Sequence, residues 1–162
     1  MKLIEITEIP QMDTGAPSPM IIANDNNLFV IYYKDCNGKF DELVTDNRML
    51  DNNILVLKFQ HCYRFTFGSP NDETISGHRY YKLGLVPYAV FELQGSDLIE
   101  ELKTINAVHP YFNSKNYDSL KHYIITFHDK TFECVADGYE ISAKNISLYS
   151  QSVSILKEIF GE

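Results

Sequence analysis

ILVLKFQHCYRFTF, residues 54 to 67, places Leu55, Leu57, Phe59, His61, Tyr63, Phe65 and Phe67 on one side of an extended chain. Val56, Lys58, Gln60, Cys62, Arg64 and Thr66 take the other side. Alternation with a period of two marks a strand with one buried face. It predicts one long core strand, with His61 satisfied inside the core. Phe59, Tyr63 and Phe67 recur every four residues, which leaves a helix open for the second half.

Working outward, LFVIYYKDC and KFDELVT flank Asn37-Gly38. That pair supplies the positive φ angles of a tight hairpin turn and sets Lys34 opposite Asp41. Downstream, Tyr88 to Leu93 reads as a short strand. Ser96 then caps a helix from Asp97 to about Ile105, with Leu98, Ile99, Leu102 and Ile105 as its buried stripe and Glu100 and Glu101 in solvent. Asn106 ends that helix and Pro110 prevents its resumption. YIITF and TFECVA form a second hairpin around Asp129-Lys130. Leu148, Ile155, Leu156, Ile159 and Phe160 after Ser147 predict a final amphipathic helix. The sum is a single α+β domain over residues 1–162, with a mainly antiparallel β-sheet and about two packing helices.

A chain of 162 residues fits one domain, and 44% hydrophobic with 22% charged residues excludes disordered and collagen-like classes. The net charge of −8 is spread evenly, since each half holds 11 acids and 7 bases. With three Arg and no basic cluster, the chain is a poor ligand for nucleic acid or an anionic membrane. An acidic surface suits a basic protein partner. Cys36, Cys62 and Cys134 are odd in number and widely spaced, and MKLIEITEIPQM lacks a signal-like apolar run. A reducing, cytoplasmic location is expected. Cys62 and Cys134, among bulky apolar neighbours, read as inert small hydrophobes. Cys36 lacks the positive neighbours that activate a thiolate.

No Gly-rich phosphate loop, GxSxG elbow, HExxH or calcium loop occurs, and no cofactor is expected. Any site must be assembled from separated segments. The stretch from Gly68 to Pro87 is long, broken by Gly and Pro, and rich in chemistry: Asn71, Asp72, Glu73, His78, Arg79, Tyr80 and Tyr81. Long excursions of this kind are usually functional. In the second hairpin, turn residues Asp129 and Lys130 would set His128 opposite Thr131, Thr126 opposite Glu133 and Ile124 opposite Val135. Tyr123, Ile125, Phe127, Phe132, Cys134 and Ala136 then form the core face, leaving Thr126, His128, Thr131 and Glu133 as a polar patch on the wet face. A Glu near a His is the minimum for acid/base work, so His78, His128 and Glu133 are the candidate catalytic residues. Asn71, Asp72, Glu73, Arg79, Tyr80, Tyr81, His109, Thr126 and Thr131 are the candidate binding residues, and no metal set is expected. His122, which begins a strand, reads as exposed.

FGSPNDETISGH (Phe67 to His78), INAVHPYF (Ile105 to Phe112) and TFHDKTFECVA (Thr126 to Ala136) together resemble a family of small uncharacterised bacterial proteins. The resemblance covers roughly residues 54 to 137 and implies a bacterial, cytoplasmic protein without implying any reaction. Arg79 departs from the family's preference for Pro after the His.

Two functions are expected from these residues. The first is a small acidic bacterial binding protein, an immunity-type inhibitor or accessory protein whose acidic loops and tyrosines engage a basic protein partner. The second is a hydrolase-like or metal-assisted enzyme with a His/carboxylate site built from loop 68–87 and hairpin 122–136. The enzyme requires the loop to fold over the hairpin and bring His78 and His128 into one cleft.

Overall fold

The computed structural model describes residues 1–35 and 53–162. The expected Asn37-Gly38 hairpin, the Lys34–Asp41 pairing and Cys36 therefore lie outside the described residues. Among those described, the chain forms β1 (Lys2–Glu5), β2 (Met20–Ala23), β3 (Leu28–Tyr33), β4 (Ile54–Gln60), β5 (Arg64–Gly68) and β6 (Val90–Gln94). There follow α1 (Asp97–Asn106), β7 (Lys121–Thr126), β8 (Thr131–Ala136), β9 (Gly138–Lys144) and α2 (Leu148–Phe160). The strands make two antiparallel sheets, ordered β1-β6-β7-β8-β5 and β2-β3-β4-β9. The α+β class with mainly antiparallel pairing is the one expected.

The strand expected to run unbroken from Ile54 to Phe67 is two strands in different sheets. β4 pairs with β9 as far as Gln60 opposite Gly138, and β5 pairs with β8 from Arg64 opposite Val135. Between those pairs, three residues (His61, Cys62, Tyr63) oppose two (Ala136, Asp137), so one strand carries a bulge. A bulge bends its strand and sharpens the local twist, which lets a strand pair leave one sheet and enter another. Hydrogen bonds frame the corner on both sides: Asp137 N–H donates to Gln60 O at 3.0 Å and Tyr63 N–H to Val135 O at 2.8 Å. His61 adopts φ +47° there. Its ring stands in solvent, 2.9 Å from an Asp137 carboxylate oxygen, and not in the core.

The alternation read from the sequence fills the space between the sheets as far as Phe59, whereas Tyr63, Phe65 and Phe67, expected on the same core face, are exposed along the edge strand β5. Leu28, Val30, Tyr32, Leu55, Leu57 and Phe59 meet Val90, Tyr123, Ile125, Phe127, Phe132, Cys134 and Ala136 in the central core. The core face predicted for the second hairpin is therefore correct to the residue. The opposite face of the four-stranded sheet is apolar as well, and Phe29, Ile31, Ile54 and Val56 are covered by Ile155 of α2, with Leu148 and Ile159 alongside. Ser147 caps α2 as the sequence requires, while Leu156 and Phe160 of the expected stripe remain exposed. Ser96 caps α1, whose Leu102 packs with Leu98 and Ile99 against Tyr117, Leu120 and Val135. Ile105, expected in that stripe, is exposed in the last turn of the helix.

Among the described residues the buried Tyr32 hydroxyl has no hydrogen-bond partner, and burial pushes the phenol's pKa well up. Its ring meets Phe127 edge-on at 5.2 Å. A phenol left unpaired gives back part of what its ring gains by burial. Tyr32→Phe is expected to raise stability by about 1 kcal/mol in urea denaturation; a comparable loss would show that the hydroxyl is bonded.

Candidate functional site

The excursion after β5 folds back over the outer face of the five-stranded sheet, but His78 and His128, which the enzyme hypothesis required in one cleft, join different hydrogen-bonded groups. Its polar anchors are backbone-directed. Asp72 N–H donates to His128 O at 2.9 Å, Thr131 Oγ1 to Pro70 O at 2.9 Å, and Thr126 Oγ1 to Val86 O at 2.8 Å. Its apolar anchors Ile75, Tyr80 and Leu85 sit on Phe91, Leu93 and Ile124. The result is a covered surface in place of the expected wet patch. Thr126 and Thr131 are buried, each with its hydroxyl consumed by the loop backbone.

The hairpin turn also falls one residue earlier than expected. Phe127 N–H bonds Lys130 O at 2.9 Å, so His128 and Asp129 are the turn residues. Thr126 then faces Thr131, Ile124 faces Glu133 and His122 faces Val135. The slip is by two positions, which keeps every side chain on its expected face. It moves His128 off the strand and brings His122 diagonally beside Glu133.

Glu133 is the centre of the buried chemistry. His78 Nε2 lies 3.0 Å from Oε1, and His122 Nε2 lies 3.0 Å from Oε2. Both rings are held by their other nitrogen. Tyr80 N–H donates to His78 Nδ1 at 3.2 Å, which leaves the hydrogen on Nε2 to donate to the carboxylate. Ser96 Oγ stands 2.8 Å from His122 Nδ1 while accepting Leu98 N–H and Ile99 N–H at the start of α1. With its lone pairs so engaged, the hydroxyl donates to Nδ1, and His122 Nε2–H donates to Glu133. Burial alone would raise the Glu133 pKa, but the hydrogen bonds from His122 and His78 outweigh it and lower it from the ordinary 4.5 to about 2.

A second polar set continues from this one. Tyr80 OH donates to Asp97 Oδ1 at 2.5 Å, Arg79 pairs with Asp97 Oδ2, and the guanidinium lies 4.7 Å from the Tyr80 ring centre. The Tyr80 hydrogen bond is the largest cause that holds the Asp97 carboxyl below its usual range. His128 belongs to a separate group at the turn. Its Nδ1 is 3.0 Å from Asp129 and its Nε2 is 4.0 Å from Asp72, whose Oδ2 accepts Tyr88 OH at 2.5 Å. The hydrogen bond to Asp129, then the charge of Asp72, raise the His128 pKa. Asn71 accepts Thr74 N–H and Oγ1–H, and the Glu73 N–H bonds the Asp72 carboxylate. Tyr81 is exposed, and His109 lies just after α1 and bonds to none of these groups, its Nδ1 accepting Tyr111 N–H at 3.1 Å.

Of the candidate catalytic residues, the fold joins His78 to Glu133 and puts His128 in a different hydrogen-bonded group. Sequence reasoning missed His122, Ser96 and Asp97. His122 reads as exposed only until α1 and the loop are laid over it; it is fully buried. The even-numbered face of YIITF, carried back one pair, was the signal that placed it with Glu133.

Ser96, His122 and Glu133 form a hydroxyl, imidazole and carboxylate in series, the order used to activate a nucleophile. Here the hydroxyl is 3% exposed and spends both lone pairs on helix amides. The chain of bonds ties α1, β7, β8 and the loop together. Among the described residues no group of three His, Cys, Asp or Glu side chains is placed to hold a metal ion. A cleft of about 570 Å³ opens elsewhere, at the corner between the sheets, lined by residues 24–28 and 61–65. No protein-family model, curated protein or solved structure matches the chain. The resemblance noted on the sequence therefore carries no family membership with it.

Glu133 contributes stability while its carboxylate accepts two donors. A carboxyl whose pKa is depressed by folding stabilises fully above its unfolded value and loses that contribution as pH falls through the folded value. The window is from about 4.5 down to about 2. Glu133→Gln sets an amide NH2 against an imidazole N–H and is expected to cost about 3 kcal/mol at pH 7. It should also flatten the acid limb of a stability–pH profile; an unchanged profile would remove Glu133 from this role.

Proposed function

We propose that this chain is a protein-binding protein of the immunity or accessory kind, working in a bacterial cytoplasm on a basic partner. The observation that carries the reading is the knuckle after α1, where Val108 and Tyr111 are each 88% exposed beside the exposed Ile105. Large apolar side chains held in water have no role in the fold, and clusters of them mark contact surfaces. This knuckle is braced. Ala107, His109 and Phe112 N–H groups bond Lys103, Asn106 and His109 carbonyls at 2.9 to 3.0 Å. The Asn106 side chain bonds Leu102 O at 2.8 Å, and Phe112 packs on Tyr117.

A preformed apolar projection loses little conformational freedom on binding, which favours a tight contact from a small area. His109, a candidate binding residue, stands within it. The surplus of 22 acids over 14 bases gives the chain as a whole a net charge of −8, and that favours and accelerates encounter with a basic partner. The polar side chains expected to do catalysis support this reading in a second way, because they are engaged in internal bonds. Among the described residues no helix is long and apolar enough to cross a membrane.

The test is affinity capture from the source cytoplasm with the intact protein and a Val108→Ser/Tyr111→Ser double variant. Both side chains stand in water, so the variant should unfold within about 0.5 kcal/mol of the parent. The parent is expected to retain a basic protein whose association weakens with added salt. The variant should bind that protein at least about 10-fold more weakly. Equal affinity for both would overturn the knuckle as the contact surface, and salt-independent binding would overturn the electrostatic part.

A further inference from the structure

β5 is the outer strand of the five-stranded sheet, and among the described residues nothing pairs with its free side. An edge strand leaves a row of N–H and C=O groups unpaired, and proteins commonly guard such edges with charged side chains or proline. The other three edges of the described sheets carry these guards. β1 has Lys2 and Glu5 at its ends, β2 follows Pro17 and Pro19, and β9 carries Glu140 and Lys144. In β5 the one charged residue, Arg64, is held by Glu101 of α1 at 2.9 Å. Beyond it, Phe65 and Phe67 are 42% and 37% exposed.

Beside this edge opens the cleft of about 570 Å³, walled by residues 24–28 and 61–65. Both walls are braced. Asn24 Oδ1 accepts the Asn26 and Asn27 N–H groups at 3.0 and 2.9 Å, and Asn24 N–H donates to Asn27 O at 3.0 Å. Across the cleft, the Phe65 ring stacks on Phe132 at 6.4 Å and Tyr63 leans on Tyr117 at 5.4 Å. Phe65 and Phe67 oppose Cys134 and Phe132, so both lie on one face of the sheet. A strand added to β5 would set alternate side chains beside these two rings, which is how sheet edges recognise extended peptides. Asp25 also lines the cleft and is exposed, and among the described residues its carboxylate has no hydrogen bond or ion pair.

Charge decides between occupants. A second copy would bring −8 against −8, whereas a basic segment meets an unpaired Asp25 and a surplus of acids. We propose that β5 captures an extended segment of a basic protein as a sixth strand of the sheet. Apolar side chains of that segment lie on Phe65 and Phe67, and a Lys or Arg reaches Asp25. Main-chain hydrogen bonds supply affinity, and the spacing of apolar and basic residues supplies selection. This rests on the reading of the chain as a binding protein for a basic partner, and it names the part of the partner that is held.

The probe is the peptide acetyl-Lys-Thr-Val-Thr-Val-Thr-Lys-amide, whose two Val and two Lys share one strand face in either direction. It is titrated against the full chain, and amide hydrogen exchange is followed by mass spectrometry. Because the probe is a free peptide, failure to capture a natural partner and failure of strand addition are separate results. Saturable binding is expected, with slower exchange at residues 64–68. Asp25→Asn should weaken binding by about 2- to 5-fold. Phe65→Lys should remove it. Should that variant not fold, the same peptide methylated on its three central backbone nitrogens tests the edge of the parent protein, and should bind at least about 10-fold more weakly. No peptide binding, equal binding of the methylated peptide, protection confined to residues 105–112, or self-association of the chain through residues 64–68 would each overturn the proposal. Unchanged affinity in Asp25→Asn would overturn the choice of a basic segment.

Discussion

A carboxylate drawn out of water needs donors, and Glu133 obtains them from two directions. His122 comes from the neighbouring strand, and His78 comes from a loop more than fifty residues earlier in the chain. Each imidazole is in turn held by a group from another element, the Tyr80 amide and the Ser96 hydroxyl. The outer face of the five-stranded sheet is thus organised around one negative charge. Removing any of these donors leaves the others facing an unsatisfied oxygen in a poorly hydrated place, which is why such networks behave as units. Loop 69–87 has no regular element longer than a short 3-10 turn, yet it is pinned to the sheet by this charge and by Ile75, Tyr80 and Leu85.

The parts of the fold legible in the sequence are those set by period two. The core face of the second hairpin was readable because a strand face survives a register slip of two positions, so misplacing the turn by one residue changed partners without exposing the wrong side chains. The corner was not readable. Alternation buries Leu55, Leu57 and Phe59 before it; after it Phe65 and Phe67 keep the side of Cys134 and Phe132 but stand exposed on the edge strand β5, and between the two His61 turns to solvent and Cys62 turns inward. One inserted residue suffices for that, and nothing in the composition of His61-Cys62-Tyr63 announces it. The wet face assigned to Thr126, Thr131 and Glu133 failed for a different reason. Whether a sheet face is solvated depends on what is laid over it, and α1 and the loop are tertiary facts.

The same distinction runs through the candidate site. His78 and Glu133 were recognisable as groups able to work together, and the fold joins them. Their surroundings make the pairing a brace: the hydroxyl in line with them caps a helix, and the rings are shielded by Tyr80. Exposure is found at the opposite kind of residue, the apolar Val108 and Tyr111 on a stiff projection. The proposed contact role rests on this contrast between His78, His122 and Glu133, turned inward, and Val108 and Tyr111, turned outward.

The bent ribbon has a last consequence for how the molecule comes apart. β4 continues into β5 and β8 into β9, so each sheet owns one half of the same two chain segments. Peeling either sheet away would tear the hydrogen-bonded ladder that the other sheet borrows at the corner. Partial opening of one layer is therefore disfavoured, and the slowest-exchanging amides of both layers should report a single cooperative event instead of two successive ones.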